Sequence, residues 1–175
     1  KFRMSKKKII ILPDPILRKV SKPVSQVDKE IKSLMDDMLE TMYAAPGIGL
    51  AAVQIGILKR IIVIDLSKEG EKKEPIFIVN PEIISKSKNL ISYEEGCLSI
   101  PNQFAEIERP NTCKIKFLDY MGEKKELEAK GLLATCIQHE IDHLNGKLFI
   151  DYLGPIKRSF ITKKMKKYKK DINKK

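Results

Sequence analysis

The chain has 175 residues, 42% of them apolar, with a formal net charge of +11, which suits one domain that buries a core without disulfide support. Its three cysteines, Cys97, Cys113 and Cys136, show no framework spacing, which argues for a reducing compartment with free or metal-bound thiols. The apolar stretch at residues 9–12 stops at Pro13 and no run of about 18 apolar residues occurs, so neither an export signal nor a spanning helix is expected, and a cytoplasmic protein is.

Met4 is a candidate natural start, with residues 1–3 foreign to the chain. Pro13, Pro15 and Pro23 make the opening turn-rich. Ser25 and Asp28 then have the spacing of a capping box, and Val27, Ile31, Leu34, Met35, Met38, Leu39 and Met42 follow at helical intervals. This predicts an amphipathic helix whose methionine stripe is core. A glycine-rich segment, Gly47-Ile48-Gly49-Leu50-Ala51-Ala52-Val53-Gln54, precedes a buried strand at residues 61–66.

Further strands are expected at residues 76–79, 83–84, 90–93 and 113–118. In the last, Cys113, Ile115 and Phe117 alternate with Lys114 and Lys116, which assigns Cys113 to the core. Residues 132–144 return to a helical pattern, with Gly131 before them and Asn145-Gly146 as a stop. A basic helix follows Pro155, and residues 155–175 carry ten lysines or arginines against the single acid Asp171. A solvated helix and an arm attracted to nucleic acid or another anionic surface both fit that charge. With no repeat, linker or break in composition, residues 1–175 read as one α+β domain with a basic tail at about 155–175.

Both histidines of the chain, His139 and His143, fall in one His-Glu-x-x-His pattern on a predicted helix. Residues four apart share a helix face with Cβ atoms roughly 5 to 6 Å apart, close enough for two imidazoles to meet on one ion, with Glu140 near the same rim. A catalytic site needs a third protein ligand and an open position for water. Cys136 shares the face but stands about 10.5 Å from His143 along the axis, too far for so short a side chain, so it lines the pocket at most. The extended zinc-peptidase pattern requires a third histidine where this chain has Phe149, and no glutamate follows His143. Cys97, in Glu94-Glu95-Gly96-Cys97-Leu98-Ser99, is the best remaining candidate, with an inert buried thiol as the alternative. Gly96 permits a backbone turn there, and the amides of Leu98 and Ser99 are available as donors.

Gly47-x-Gly49-x-x-Ala52 matches a loose dinucleotide fingerprint, but it follows a helix and leaves no room for a crossover helix before the next strand. The glycines instead allow close approach of backbone to an extended ligand, with the Gln54 amide as a donor, or they form only a tight turn.

The glycine segment, Glu95-Gly96-Cys97-Leu98-Ser99 and Gln138-His139-Glu140-Ile141-Asp142-His143 together closely resemble, in order and spacing, the three signature motifs of peptide deformylases. Similarity runs from Pro13-Asp14-Pro15-Ile16-Leu17-Arg18 to Leu148-Phe149-Ile150-Asp151. The resemblance implies antiparallel sheets wrapped around the motif helix, a C-terminal helix, and removal of the formyl group from N-terminal formylmethionine of new bacterial or organellar proteins, releasing formate. It implies Cys97, His139 and His143 as ligands of one divalent metal, Fe²⁺, which Zn²⁺, Ni²⁺ or Co²⁺ can replace. Glu140 would carry the proton, while Gln54 and the Leu98 amide would hold the oxyanion. Gly47, Ile48, Gly49 and Gly96 would meet the peptide backbone, and Leu132, Thr135 and Cys136, with Ile48 nearby, would form the methionine pocket. Thr135 departs from the apolar residue expected there, and Phe104 stands where some members carry arginine. Glu95 and Arg109 would form a supporting ion pair, against the plainer reading of a surface charge pair. The basic tail is similar to the helix by which such enzymes dock on the ribosome. Two other readings compete: an ordinary metallopeptidase, which lacks its third ligand here, and a ribosome- or RNA-binding protein with a closed structural metal site.

Overall fold

Helix α1, Lys29–Ala44, starts where the Asp28 carboxylate accepts the Ile31 amide at 2.9 Å, so Asp28 itself is the N-cap and the expected Ser25–Asp28 capping box does not form. An ionised carboxylate at the positive end of the helix outcompetes a hydroxyl three residues upstream. The computed structural model describes residues 5–175, and the candidate start at Met4 lies outside them. The inner face of α1 is Ile31, Met35, Met38 and Met42, all buried.

Strands β1 (Gly49–Ala51), β2 (Ile61–Ile64), β3 (Ile76–Lys86), β4 (Leu90–Cys97), β5 (Ile100–Pro110), β6 (Thr112–Leu118) and β7 (Lys124–Lys130) follow in order. Five of them form an antiparallel sheet in the order β1-β2-β3-β6-β7, and β4 pairs with β5 as a separate hairpin. The expected strands at 76–79 and 83–84 are one element, β3, which bends through register shifts around Pro81. The fully buried run of β2 is explained by layers on both faces. Ile62 and Ile64 pack with Ile78 and Ile115 toward the motif helix α2 (Gly131–Leu144), while Ile61 and Val63 pack with Met35, Met38 and Met42 of α1.

Strand β7 was not anticipated, because its residues are mostly charged. It is a sheet edge whose lysines face solvent, and only Leu127 and Ala129 turn inward. Helix α2 lies against β1, β2 and β7 and touches β4 and β5, so the sheet and the hairpin both enclose it. Its end is a Schellman cap: Gly146, at φ 72°, donates to the His143 carbonyl and Lys147 to that of Asp142. Helix α3, Pro155–Asn173, is held to β5 and the Phe149–Tyr152 turn through Ile161 and Met165, and most of its lysines are exposed. No helix among the described residues is long and apolar enough to cross a membrane. The architecture is α+β, with antiparallel sheets around a central helix and a C-terminal helix.

Candidate active site

The helical period places Leu132, Thr135, Cys136, His139, Glu140 and His143 on one face of α2, and the β4–β5 hairpin covers that face. Cys97 ends β4 immediately before a tight turn at Leu98-Ser99, and its Sγ reaches to 3.3 Å from His143 Nε2. Ligand atoms of Cys97, His139 and His143 all lie within 4.8 Å of one another. No other Cys, His, Asp or Glu among the described residues joins this group. One sulfur and two imidazole nitrogens fit a divalent transition ion in donor type and spacing.

Glu95 orients the first imidazole. Its Oε1 lies 2.9 Å from His139 Nδ1, and the same carboxylate is gripped in bidentate fashion by Arg109, Nε to Oε2 at 2.7 Å and Nη2 to Oε1 at 3.0 Å. Burial alone would raise the Glu95 pKa, but the His139 and Arg109 hydrogen bonds outweigh it and hold the carboxyl below its usual range. An ionised Glu95 accepts the Nδ1 proton, which leaves His139 Nε2 to face Cys97. Burial also opposes charge on His139, yet hydrogen bonds to Cys97 and Glu95 prevail and raise its pKa well above normal. His143 is shifted the other way, by burial first and then by the positive field of His139 and Arg109.

Glu140 is buried beside the histidines with Oε1 3.9 Å from His139 Nε2, and its Oε2 has no partner among the described residues. Burial pushes its pKa up to about 7, helped by Glu95 and Asp142 and opposed by His139 and Arg109. The edge strand β1 passes so close that a Cβ on Gly49 would sit 2.7 Å from Glu140 Oε1. Gly96 makes no turn of the kind expected, since it has no left-handed φ and pairs with Phe104 across the hairpin. A Cβ at Gly96 would meet the exposed Phe104 ring, with Cε1 at 2.6 Å, so a larger residue there would push that ring aside.

Cys97, His139, Glu140, Glu95 and Thr135 line a single cleft of about 710 Å³, together with Gly47, Ile48, Gln54 and Leu98, while His143 and Arg109 lie behind its wall. The Gln54 amide accepts from the Ala51 amide at 2.9 Å, and its Nε2 donates to Ser99 Oγ at 3.0 Å and points at Cys97 Sγ, 3.5 Å away. Thus the residues expected as metal ligands, proton carrier, oxyanion donors and substrate contacts all reach the cleft or the donor cluster. The Glu95–Arg109 pair is a buried clamp and no surface pair, with side chains 5% and 3% exposed. Sequence reasoning missed its extension: Arg109 Nη1 also donates to Asp142 Oδ2 at 2.8 Å, and the Tyr152 hydroxyl donates to the same oxygen at 2.7 Å. The placement of Asp142 between the two histidines was the available signal. Phe149, where a third histidine was sought, is buried and stacks against His139 with ring centroids 6.3 Å apart.

A sulfur and two imidazoles converging beside a buried carboxylate, at the floor of a cleft edged by a free strand, define a hydrolase acting on an extended amide substrate. A sequence model of the family described as polypeptide deformylase matches residues 6–159. The chain belongs to that family. A peptide deformylase of Pelagibacter ubique is 61% identical over 166 residues, covering 95% of this chain and 96% of the relative, and one of Phenylobacterium zucineum is 56% identical over 167 residues, covering 95% and 99%. The crystal structure of peptide deformylase from Ehrlichia chaffeensis in complex with actinonin superposes with a TM-score of 0.90 at 45% identity, covering 94% of this chain and 98% of the other.

Proposed function

We propose that this chain removes the formyl group from N-terminal formylmethionine of new proteins with Cys97, His139 and His143 holding one divalent ion and Glu140 moving the proton. The observation that carries the reading is the convergence of those three donors within 4.8 Å, beside Glu140, in a chain of the deformylase family. The ion, Fe²⁺ in this proposal with Zn²⁺, Ni²⁺ or Co²⁺ as substitutes, supplies Lewis acidity that activates water. The chain at Ile48 and Gly49, where it enters β1, pairs with the peptide as an added strand, which the position of β1 at the sheet edge favours. Glu140 takes a proton from the attacking water and delivers it to the amine as the C–N bond breaks, releasing formate. Burial raises the Glu140 pKa, which favours a carboxyl that can both take up and give back the proton. The Gln54 amide and the Leu98 N–H hold the developing oxyanion, each such donor contributing about 3 to 4 kcal/mol. Leu132, Thr135 and Cys136, with Ile48, take the methionine side chain, while Gly47 and Gly96 leave room for the peptide backbone.

The peptidase reading is disfavoured by Phe149, which supports His139 from behind, and the closed structural site by the three-donor cluster beside an open cleft. Glu140→Ala separates the readings. The variant keeps its metal and its circular dichroism, and its turnover of formyl-Met-Ala falls by about 10² to 10⁴. Full activity in that variant defeats the mechanism, and hydrolysis of an internal amide by the wild type restores the peptidase.

We also read residues 1–175 as one cytoplasmic domain with α3 as a ribosome-docking arm. The lysine-rich exposed surface of α3, anchored by only Ile161 and Met165, supports this. Removing α3 weakens cosedimentation with ribosomes and spares turnover of a short formyl peptide; unchanged cosedimentation ends the docking proposal.

A further inference from the structure

Tyr152 lines no part of the substrate cleft. It ends the Phe149–Tyr152 turn and borders a separate cavity of about 280 Å³ with Arg109, Asp142 and Lys147. At 42% exposed, it is ordinarily the kind of residue whose replacement changes little. Its contacts are not those of a bystander. The hydroxyl donates to Asp142 Oδ2 at 2.7 Å and accepts from Arg109 Nη1 at 3.3 Å, and the ring lies against the Arg109 guanidinium, with Cζ 4.7 Å from the ring centroid. From there the contacts run inward without a gap. Arg109 Nε and Nη2 hold the two oxygens of Glu95, and Glu95 Oε1 lies 2.9 Å from His139 Nδ1. Phe149, at the start of the same turn, stacks against the His139 ring, so one short turn bears on that imidazole by two routes.

We propose that Tyr152 is a positioning residue for the metal centre: by fixing the outer end of the Arg109 fork on Asp142 it keeps Glu95 against His139 and holds that imidazole in the orientation that binds the ion. The inference rests on the reading of Cys97, His139 and His143 as metal ligands. A guanidinium is a rigid planar fork, so the two N–H groups that grip Glu95 stay aimed only while Nη1 at the other end is also held. Asp142 and Tyr152 are what hold it. The Asp142 side chain is 18% exposed and that of Arg109 3%, so Tyr152 stands where the network meets water and keeps water from competing for Nη1. Removing a group that holds a ligating histidine directly weakens metal binding or activity by about 10- to 100-fold; Tyr152 stands further out, and its removal is worth about three- to tenfold.

The test uses the full chain loaded with Co²⁺ and compares wild type, Tyr152→Phe and Asp28→Ala. Phenylalanine keeps the ring and removes the hydroxyl; Asp28→Ala removes the cap of α1, which belongs to no part of this network, and serves as a variant of lowered stability. The rate at which EDTA strips Co²⁺, the visible absorption of the bound ion, kcat and KM for formyl-Met-Ala, and thermal melting are measured for each. The expected result is that Tyr152→Phe loses Co²⁺ about three- to tenfold faster with an altered Co²⁺ spectrum, and that its kcat falls while KM stays within about twofold. Asp28→Ala melts lower yet releases Co²⁺ at the wild-type rate. Wild-type release and spectrum in Tyr152→Phe overturn the proposal. So does equally fast release from Asp28→Ala, which would trace the effect to stability alone. A wild type that binds no Co²⁺ overturns the metal-site reading itself, a result distinct from equal release rates.

Discussion

Gly49→Ala adds one methyl group to the edge strand β1, 2.7 Å from Glu140 Oε1, 3.2 Å from its Cδ and 3.3 Å from its Cγ. Ordinary contact begins at 3.4 Å, so the carboxylate must retreat by about 0.7 Å. The obstructing atom is the far end of a flexible side chain, which makes the carboxylate the part that yields. Gly49 has no left-handed φ, so alanine fits the backbone, and the loss of glycine's freedom in the unfolded chain adds about 0.4 to 1 kcal/mol of stability. The folded state is thus expected to survive with its metal content intact. Displacement of a catalytic group by close to 1 Å costs on the order of 10²-fold, and kcat for formyl-Met-Ala should fall by about 10- to 100-fold. Formate release, metal per chain and thermal melting measured on one preparation separate the effects. Wild-type kcat in a folded, metal-loaded Gly49→Ala refutes the reasoning that Glu140 must sit where the structure has it, and a large loss of stability refutes the claim that the carboxylate yields.

Arg109→Met leaves the Glu95 and Asp142 carboxylates without the guanidinium that bridges them at 2.7 to 3.0 Å, at a site where the arginine is 3% exposed. Breaking a buried pair in this way costs about 3 to 5 kcal/mol, measurable by urea unfolding, and a loss below about 1 kcal/mol would show the network to be dispensable. For Asp151, burial raises the carboxyl pKa, but hydrogen bonds from Arg18 and the Leu148 amide overcome this and set it below 3.8. A depressed folded-state pKa gives stability that is complete above the unfolded value and disappears as pH falls through the folded one. Asp151→Asn should therefore be less stable than wild type by a constant amount from pH 5 to 7, converging only below about pH 4. Convergence near pH 6 would contradict the assignment.

Several elements were legible because their information is local. The β-branched run of β2, the Cys113-Ile115-Phe117 alternation of β6 and the Asn145-Gly146 stop each report a conformation through neighbouring residues. Spacing alone placed His139, Glu140 and His143 on one face of α2. Strand β7, by contrast, has a charged sequence that states little, and becomes a strand by pairing with β6. Ser25 and Asp28 both look like caps, and the start of α1 at Asp28 follows from which amide lies in reach.

The residue types and the helical period by themselves determined the two-histidine motif, and the three motifs taken together carried the resemblance to the family. Only tertiary structure brought Cys97 to His143 across 46 positions, set Glu95 on His139, stacked Phe149 behind that ring and joined Tyr152 to Asp142. The reason is physical: backbone periodicity fixes which side chains share a face, whereas distances between faces come from how hairpin, sheet and helix pack around a common core.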